Sequence, residues 1–174
     1  MTKQLSHYQS KFQVKQFPIV LILDEVSGEA NIGSLFRLAD AFNIEKIIFC
    51  GIPPNLSSNR LKKTARNTQE QVKFEVFETT SEAVESCKND GYELFCLEIS
   101  SDSVAIDSVA YDQYSKIALV IGNEANGISE EILHKSRKNL HINMYGNNSS
   151  MNVAQAAGIA LFEISKSIVP FDKK

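Results

Sequence analysis

Two polar segments of the sequence place reactive or ligand-binding side chains close to a glycine. In the first, Asn31 and Arg37 flank Gly33, and an arginine fork can bind a phosphate or a developing oxyanion. A helix N-cap is an equally good interpretation of Asn31, and a solvated surface arginine is an alternative for Arg37. The second segment, residues 122–127, carries Glu124 after an apolar run. A carboxylate at the carboxyl end of a strand is a candidate site residue.

A third polar segment, residues 142–152, is rich in glycine, asparagine and serine and leads into a long helical pattern. Ser150 and Asn152 can cap that helix or act in a site, and both interpretations stay open. The small residues from Ala154 to Ala160 indicate that another backbone packs closely, either in the core or from a second chain.

Metal chemistry is not expected. The histidines and cysteines lack the spacing of a metal site or a disulfide framework. We interpret the three histidines, His7, His134 and His141, as structural or surface residues. Cys50 and Cys96 end apolar runs and are interpreted as small buried side chains, which suits a reducing cytoplasm. The absence of G-x-x-x-x-G-K-[ST] and G-x-G-x-x-G motifs argues against an NTPase or a dehydrogenase.

Length and charge restrict the class of protein. The 174 residues suit one domain, residues 1–174, and no apolar run reaches membrane-spanning length. The net charge of −3 means that nucleic-acid binding would need a local basic patch or the pooled surfaces of two chains. The candidate patch contains Arg60, Lys62, Lys63 and Arg66, and a solvated basic helix or loop is its alternative interpretation.

Short apolar runs alternate with helical patterns along the chain. The runs at 19–23, 47–49, 72–77, 94–97, 117–121 and 140–144 predict strands, and the patterns at 32–42, 81–88, 130–135 and 152–167 predict helices. This order predicts an α/β fold with a parallel sheet, doubly wound by default. The run 72–77 alternates and is expected at a sheet edge. Residues 1–17 are expected to form an N-terminal extension. A short helix that ends before Pro18 is one form this extension can take.

The three polar segments together resemble the SpoU family of RNA 2′-O-ribose methyltransferases, within the SPOUT superfamily. The family motifs N-x-G-x-x-x-R, G-x-E-x-x-G and I-x-M-x-G…S-[LM]-N-[VL] correspond to residues 31–37, 122–127 and 142–153. The resemblance spans roughly residues 18–168. Two departures are Asn43, where the family often has glycine, and Met151, where leucine is commoner. We expect no counterpart of the additional N-terminal RNA-binding domain of some relatives within these residues.

The resemblance implies a parallel α/β sheet with helices on both faces, a C-terminal deep trefoil knot and a homodimer. It implies S-adenosylmethionine as cofactor and RNA as substrate, with tRNA favoured over rRNA by analogy. The implied catalytic set is Asn31, Arg37, Glu124, Ser150 and Asn152. The implied cofactor-binding set is Leu97, Glu98, Gly122, Ile142, Met144, Ser150 and Met151.

Arginine stays protonated in proteins, so we expect Arg37 to act electrostatically and not as a general base. Whether it serves the site of its own subunit or of its partner stays open. Three other classes of protein remain as alternatives: a non-catalytic RNA-binding relative, an unrelated α/β enzyme that binds another nucleotide, and a structural or regulatory domain.

Overall fold

The structure, a computed structural model, describes residues 12, 14–148 and 150–168. In this part of the chain, seven strands form one sheet: β1 (Phe17–Asp24), β2 (Ile44–Cys50), β3 (Phe74–Phe77), β4 (Glu93–Leu97), β5 (Val104–Ala105), β6 (Ile117–Ile121) and β7 (Lys138–His141). Five α-helices accompany them: α1 (Glu29–Ala41), α2 (Asn59–Ala65), α3 (Thr80–Asn89), α4 (Glu130–Lys135) and α5 (Val153–Ile168).

All neighbouring strands pair in parallel, in the order β3-β2-β1-β6-β4-β7-β5. The predicted parallel α/β sheet is confirmed, and β3 lies at an edge as its alternating pattern indicated. Because β6 lies between β1 and β4, segments far apart in the sequence end at the same edge of the sheet. The central strands β1 and β6 consist of near-continuous apolar residues because both of their faces are covered.

Two apolar cores lie on opposite faces of the sheet. One contains Leu21 and Leu23 of β1 with the buried faces of α1, α2 and α5. The other contains Val20 and Ile22 of the same strand with the buried faces of α3 and α4. The alternation along β1 therefore distributes its side chains to both layers of helices.

Helices α1 and α2 pack in direct backbone contact at Gly33. A Cβ atom at this position would lie 2.0 Å from Oγ1 of Thr64 and 2.4 Å from the carbonyl oxygen of Leu61. Only glycine permits this approach. On another side of α1, Leu38 packs 3.3 Å from the position that a Cβ of Gly158 in α5 would take. The small-residue face of α5 is thus explained at Gly158 by a contact within this chain.

Several details differ from the sequence-based expectations. The N-cap of α1 is Gly28 and not Asn31, which lies in the first turn of the helix. The strand expected at 140–144 ends at His141, because pairing with β4 and β5 stops there. Helix α2 and the two-residue strand β5 were not predicted as such, since α2 is short and mostly polar and β5 is too short to show a period.

The helix expected within residues 1–17 can be compared with the structure only at its end. Most of residues 1–17 lie outside the described residues, but Phe17 and Pro18 belong to β1. The strand accommodates Pro18 because its register is irregular between Phe17 and Val20. Asn43 has a φ of 45°, the left-handed conformation expected where the family often has glycine. None of the helices in the described residues has the length and apolar character needed to cross a membrane.

Candidate active site

A cavity of about 1110 Å³ opens at the carboxyl ends of β4, β6 and β7. Ligands of parallel α/β sheets bind at this edge, and ligand pockets typically have volumes of about 300–1,000 Å³. The cavity is therefore large enough for a nucleoside-sized cofactor with space beside it. Its walls combine apolar side chains such as Leu97, Leu140 and Val153 with backbone and polar groups.

The residues implied as cofactor-binding all line this cavity. They come from three separate segments: Leu97 and Glu98 follow β4, Gly122 follows β6, and Ile142, Met144, Ser150 and Met151 belong to the segment between β7 and α5. The structure therefore brings together positions that the sequence separates widely. Their binding role stays a prediction.

The loop after β6 is folded back on itself at Gly122. A Cβ atom there would lie 2.4 Å from the backbone carbon of Gly127, so a side chain would open the loop. Gly127 has a φ of 66°, and its N–H donates to the carbonyl of Asn123 at 2.8 Å. The turn predicted at Asn126-Gly127 is confirmed. Ser129 is the N-cap of α4 as predicted, although its side chain makes no capping hydrogen bond.

Two side-chain contacts that the sequence analysis did not predict fix this loop. Asn123 donates from Nδ2 to the carbonyl of Glu25 at 2.8 Å and accepts from the N–H of Ala125 at 2.8 Å. The carboxylate of Glu98, a residue of the implied cofactor-binding set, accepts from the N–H of Ile128 at 3.2 Å. An asparagine between a strand and a tight turn is a recognisable sequence signal, whereas the partner of Glu98 is visible only in the fold.

Three residues of the implied catalytic set form one chain of hydrogen bonds. Asn152 donates from Nδ2 to Oδ1 of Asn31 at 2.9 Å, and Asn31 donates from Nδ2 to Oε1 of Glu124 at 2.5 Å. Asn152 also caps α5, because its Oδ1 accepts from the N–H of Ala154 at 3.0 Å. Capping and site contact, which the sequence left as alternatives, therefore coexist in Asn152. The chain connects the start of α1, the loop after β6 and the start of α5.

Gly28 leaves the space that the Asn31–Glu124 pair occupies. A Cβ atom at Gly28 would lie 3.1 Å from Nδ2 of Asn31 and 3.2 Å from Oε1 of Glu124. Both contacts are tighter than ordinary van der Waals distance, so a larger residue would press on the hydrogen bond. The residue before α1 thus contributes to the geometry of the site by being small.

The other two members of the implied catalytic set are placed differently. Ser150 is exposed and lines the cavity. Arg37 is exposed on α1, off its apolar stripe as predicted, and is not among the residues that line the cavity. Within one described chain, Arg37 is therefore not part of the cavity wall that Gly122, Ile142 and Met151 form.

The candidate RNA-binding residues lie on and just after α2. Arg60, Lys62, Lys63 and Arg66 are all exposed, and none of them lines the cavity. Helix α2 begins at the N-cap Ser58, whose Oγ also donates to Glu29 at the start of α1 at 2.5 Å. The basic patch is thus fixed to the same helix that carries Asn31.

The interpretation of His141 as a structural or surface residue agrees with its contact to a neighbouring serine, although the residue also borders the cavity. It is half-buried and lines the cavity, and its Nδ1 lies 3.0 Å from Oγ of Ser103. His134 is exposed, and His7 lies outside the described residues. In the described part of the chain, no group of three or more His, Cys, Asp or Glu residues is arranged to hold a metal ion.

The three cysteines are free and buried, as expected for Cys50 and Cys96. Burial raises the pKa of Cys50 and of Cys96 to about 12, and that of Cys87 to about 11, from an ordinary value of 9.0. A thiol nucleophile needs the thiolate form, which burial disfavours here. These cysteines are packing residues of the core.

The fold and the cavity together define a parallel α/β protein with a cofactor-sized cavity at the carboxyl edge of its sheet. The sequence profile of the SpoU rRNA Methylase family matches residues 18–162. The chain belongs to this family, and the family prediction from the sequence is confirmed.

Individual relatives agree with this assignment. The chain is 27% identical over 169 residues to a tRNA (guanosine(18)-2′-O)-methyltransferase of Aquifex aeolicus, covering 95% of this chain and 77% of the relative. It resembles the crystal structure of the A. aeolicus TrmH/SpoU tRNA modifying enzyme with a TM-score of 0.78 and 26% identity, covering 88% and 76% of the two chains.

A third similarity concerns the fold alone. The structure of an AdoMet-bound rRNA methyltransferase from Sinorhizobium meliloti matches with a TM-score of 0.79 at 23% identity, covering 88% of this chain and 59% of that one. This chain therefore shares its fold with that structure.

Proposed function

We propose that this chain transfers a methyl group from S-adenosylmethionine to a ribose 2′-hydroxyl of RNA, with tRNA favoured over rRNA. The predicted enzyme class, an RNA 2′-O-methyltransferase, and the predicted methyl donor are confirmed by family membership and by the relatives described above. The single observation that carries the site assignment is the Asn152–Asn31–Glu124 chain of hydrogen bonds at the rim of the cavity.

The residues around the cavity fit the cofactor. Leu97 and Ile142 offer an apolar surface for a purine ring, and the folded-back loop at Gly122 lies at the cavity wall. S-adenosylmethionine supplies an electrophilic methyl group on a sulfonium. The task left to the protein is to align the ribose oxygen with that methyl group and to stabilise charge that develops on the oxygen.

We assign that stabilisation to Arg37, with Ser150 and Asn31 orienting the reacting groups. A guanidinium is planar and permanently charged, so it can hold an RNA phosphate and face the developing oxyanion without accepting a proton. Because Arg37 does not line the cavity of its own chain, we propose that it completes the site of a partner subunit in a homodimer.

The dimer proposal is supported by an apolar surface of α5. Ile159 is 42% exposed and Phe162 is 58% exposed on this helix, which packs against α1 next to Arg37. Large exposed apolar side chains on adjacent turns are typical of an interface. A second chain seated on this face would cover them and bring its own α1 towards the site.

The proposal also includes the deep trefoil knot and a cytoplasmic location. The knot is supported by the described residues of the segment 142–152, several of which line the same cavity as the loop 122–127, and by the insertion of β6 between β1 and β4. The exposed residues Arg60, Lys62, Lys63 and Arg66 on and after α2 are proposed to bind the RNA backbone. The tRNA preference rests on the Aquifex relative, whose name specifies a tRNA.

The proposal is tested by methyl transfer to purified tRNA and, separately, to rRNA, using donor labelled on the methyl group. We expect labelled tRNA with the unmodified chain and a loss of about 100-fold with Arg37→Lys, because lysine lacks the planar fork. Absence of transfer to either RNA, with cofactor bound, would favour the alternative of a non-catalytic RNA-binding relative. Near-normal turnover in Arg37→Lys would refute the assigned role.

A further inference from the structure

The charged side chains that line the cofactor cavity are all acidic. Two carboxylates, those of Glu98 and Glu124, line it, while no lysine or arginine stands among its described lining residues. The remaining ionisable base on the wall is His141, whose Nδ1 faces Ser103. The cavity of a single chain therefore carries negative charge without a fixed positive charge in its wall.

Neutral donors hold both carboxylates. Glu98 accepts from the backbone N–H groups of Ile99 at 3.1 Å and Ile128 at 3.2 Å. Glu124 accepts from the side-chain amide of Asn31 at 2.5 Å. In the described residues, neither carboxylate belongs to an ion pair within 4.0 Å. Amide donors orient a carboxylate without cancelling its net charge.

The position of Glu98 is fixed by the loop it holds. A Cβ atom at Gly127 would lie 2.6 Å from its Oε2, so the loop closes directly over the carboxylate. The backbone N–H of Glu98 donates to the carbonyl of Leu140 at 2.9 Å, which fixes the residue to the end of β7. The carboxylate thus lies at the junction of the segments that surround the cofactor cavity.

We propose that Glu98 and Glu124 make this cavity select for the positive charge of the methyl donor, so that it binds S-adenosylmethionine more tightly than S-adenosylhomocysteine. The inference rests on the proposed function. The two ligands share the adenosine, ammonium and carboxylate groups and differ in one methyl group and one positive charge at sulfur.

The reaction removes the charge that the carboxylates attract. The bond between sulfur and the methyl carbon breaks, the bond between the ribose oxygen and that carbon forms, and the hydroxyl proton goes to solvent. The sulfonium becomes a neutral thioether. Attraction between the two carboxylates and the ligand is therefore present before transfer and absent after it, which favours release of the product. The attraction between the carboxylates and the sulfonium weakens as methyl transfer proceeds. It therefore strengthens binding of the methyl donor but does not accelerate the chemical step.

A third ligand distinguishes the effect of the positive charge on affinity from the effect of the methyl group. Sinefungin carries an amine in place of the methylsulfonium and is cationic without being a methyl donor. If charge determines the selectivity, sinefungin and S-adenosylmethionine bind similarly and both bind more tightly than S-adenosylhomocysteine. If the methyl group determines it, sinefungin binds like the thioether.

The experiment is calorimetric titration of the full chain with each of the three ligands at pH 8. We expect both cationic ligands to bind about tenfold more tightly than S-adenosylhomocysteine, from a charge pair separated by several ångströms at intermediate dielectric. Glu98→Gln and Glu124→Gln should each reduce this ratio several-fold towards one. Glu130→Gln, which removes an exposed charge outside the cavity wall, should leave the ratio unchanged.

Glu98→Gln keeps one oxygen for a backbone amide, and its urea unfolding midpoint reports whether the loop stays folded. A ratio at or below one in the unmodified chain, or a ratio unaffected by both glutamine variants, would overturn the charge selection while leaving methyl transfer intact. If none of the three ligands bound to the unmodified chain, the proposed function itself would fail together with this inference.

Discussion

The side-chain amide of Asn152 donates a hydrogen bond to the side-chain oxygen of Asn31, 2.9 Å away and 121 residues earlier in the chain. Asn31 in turn donates a hydrogen bond from its own side-chain amide to Glu124. An amide is suited to this position because it accepts on one side and donates on the other. The start of α1, the start of α5 and the loop after β6 are thereby held in one arrangement at the cavity.

Replacing Asn31 by aspartate should break this chain at Glu124. The new carboxylate still accepts from Asn152, but it faces Oε1 of Glu124 with a like charge and no donor. We expect methyl transfer to fall by about 100-fold, as for other losses of a positioned donor in an active site. Methyl transfer and unfolding by urea are measured in parallel.

Asn89→Asp provides a matched control. Asn89 is exposed at the end of α3, so this substitution makes the same chemical change away from the cavity. If Asn31→Asp reduced activity no more than Asn89→Asp does, the hydrogen-bond chain would have no part in the reaction.

Mixed dimers should reveal which subunit's site Arg37 serves. Arg37→Lys and Asn152→Ala chains carrying different affinity tags are co-expressed, and dimers that contain both are purified. If Arg37 completes the partner's site, the Arg37→Lys chain offers an intact cavity and receives the arginine of the other chain. One of the two sites is then complete, and activity should be about half that of the unmodified dimer.

Each homodimer of the single variants should be nearly inactive, which sets the baseline for the mixed dimer. Mixed dimers as inactive as the two homodimers would place Arg37 in the site of its own subunit and refute the trans arrangement. A monomeric protein in solution would refute the dimer itself.

The basic residues on and after α2 should determine how RNA binding depends on salt. Replacing Arg60, Lys62, Lys63 and Arg66 by alanine should reduce the slope of log affinity against log salt by about 0.7–0.9 for each RNA phosphate that is no longer neutralised. Affinity is measured by filter binding from about 50 to 200 mM salt.

Alanine at Lys88 and Lys138, two exposed lysines on α3 and β7, controls for a general change in net charge. An equal slope in the four-residue variant and the unmodified chain would leave α2 without a role in RNA binding.

The buried thiols should make the protein less stable in alkali. The pKa of Cys50 is raised to about 12, mainly by burial, whereas an exposed thiol in the unfolded chain has a pKa near 9.0. Below pH 9 both states hold the proton and the full stability is present. As the pH rises from 9 towards 12, the unfolded chain loses its proton first, and each such thiol removes up to about 1.4 kcal/mol of stability per pH unit.

Cys50→Ala isolates this contribution. The variant should lose about 1 kcal/mol or more at pH 7 from the space left in the core, but its stability should fall less steeply between pH 9 and 11. Urea unfolding over this range gives both quantities. Parallel pH profiles for Cys50→Ala and the unmodified chain would contradict a buried, protonated Cys50.

The sequence predicted those parts of the fold whose physical cause is local. Runs such as Ile117–Ile121 are apolar throughout because both faces of a central strand are buried, and the alternation at the edge strand β3 follows from its partial exposure. Helix α2 shows no apolar stripe of comparable length, because it packs against α1 mainly through Leu61 and Ala65.

The arrangement of the candidate site could be predicted less well from local sequence patterns. The strand order, which places β6 between β1 and β4, leaves no trace in hydrophobic periodicity. The meeting of Asn31 with Asn152 was therefore predicted by resemblance to a family and not by spacing. The carboxylate contact of Glu98 with Ile128 depends on how two loops fold against each other, and the role of Arg37 stays a prediction.

The central claim, that the methyl group reaches a ribose oxygen, is tested most directly by partial alkaline hydrolysis of end-labelled tRNA after incubation with the protein and S-adenosylmethionine. Alkali cleaves RNA through the 2′-hydroxyl, so a methylated ribose leaves a gap in the cleavage ladder at one nucleotide. We expect such a gap with the unmodified chain and none with Arg37→Lys. A continuous ladder in RNA that has nevertheless gained labelled methyl groups would place the methyl on a base and contradict the central claim.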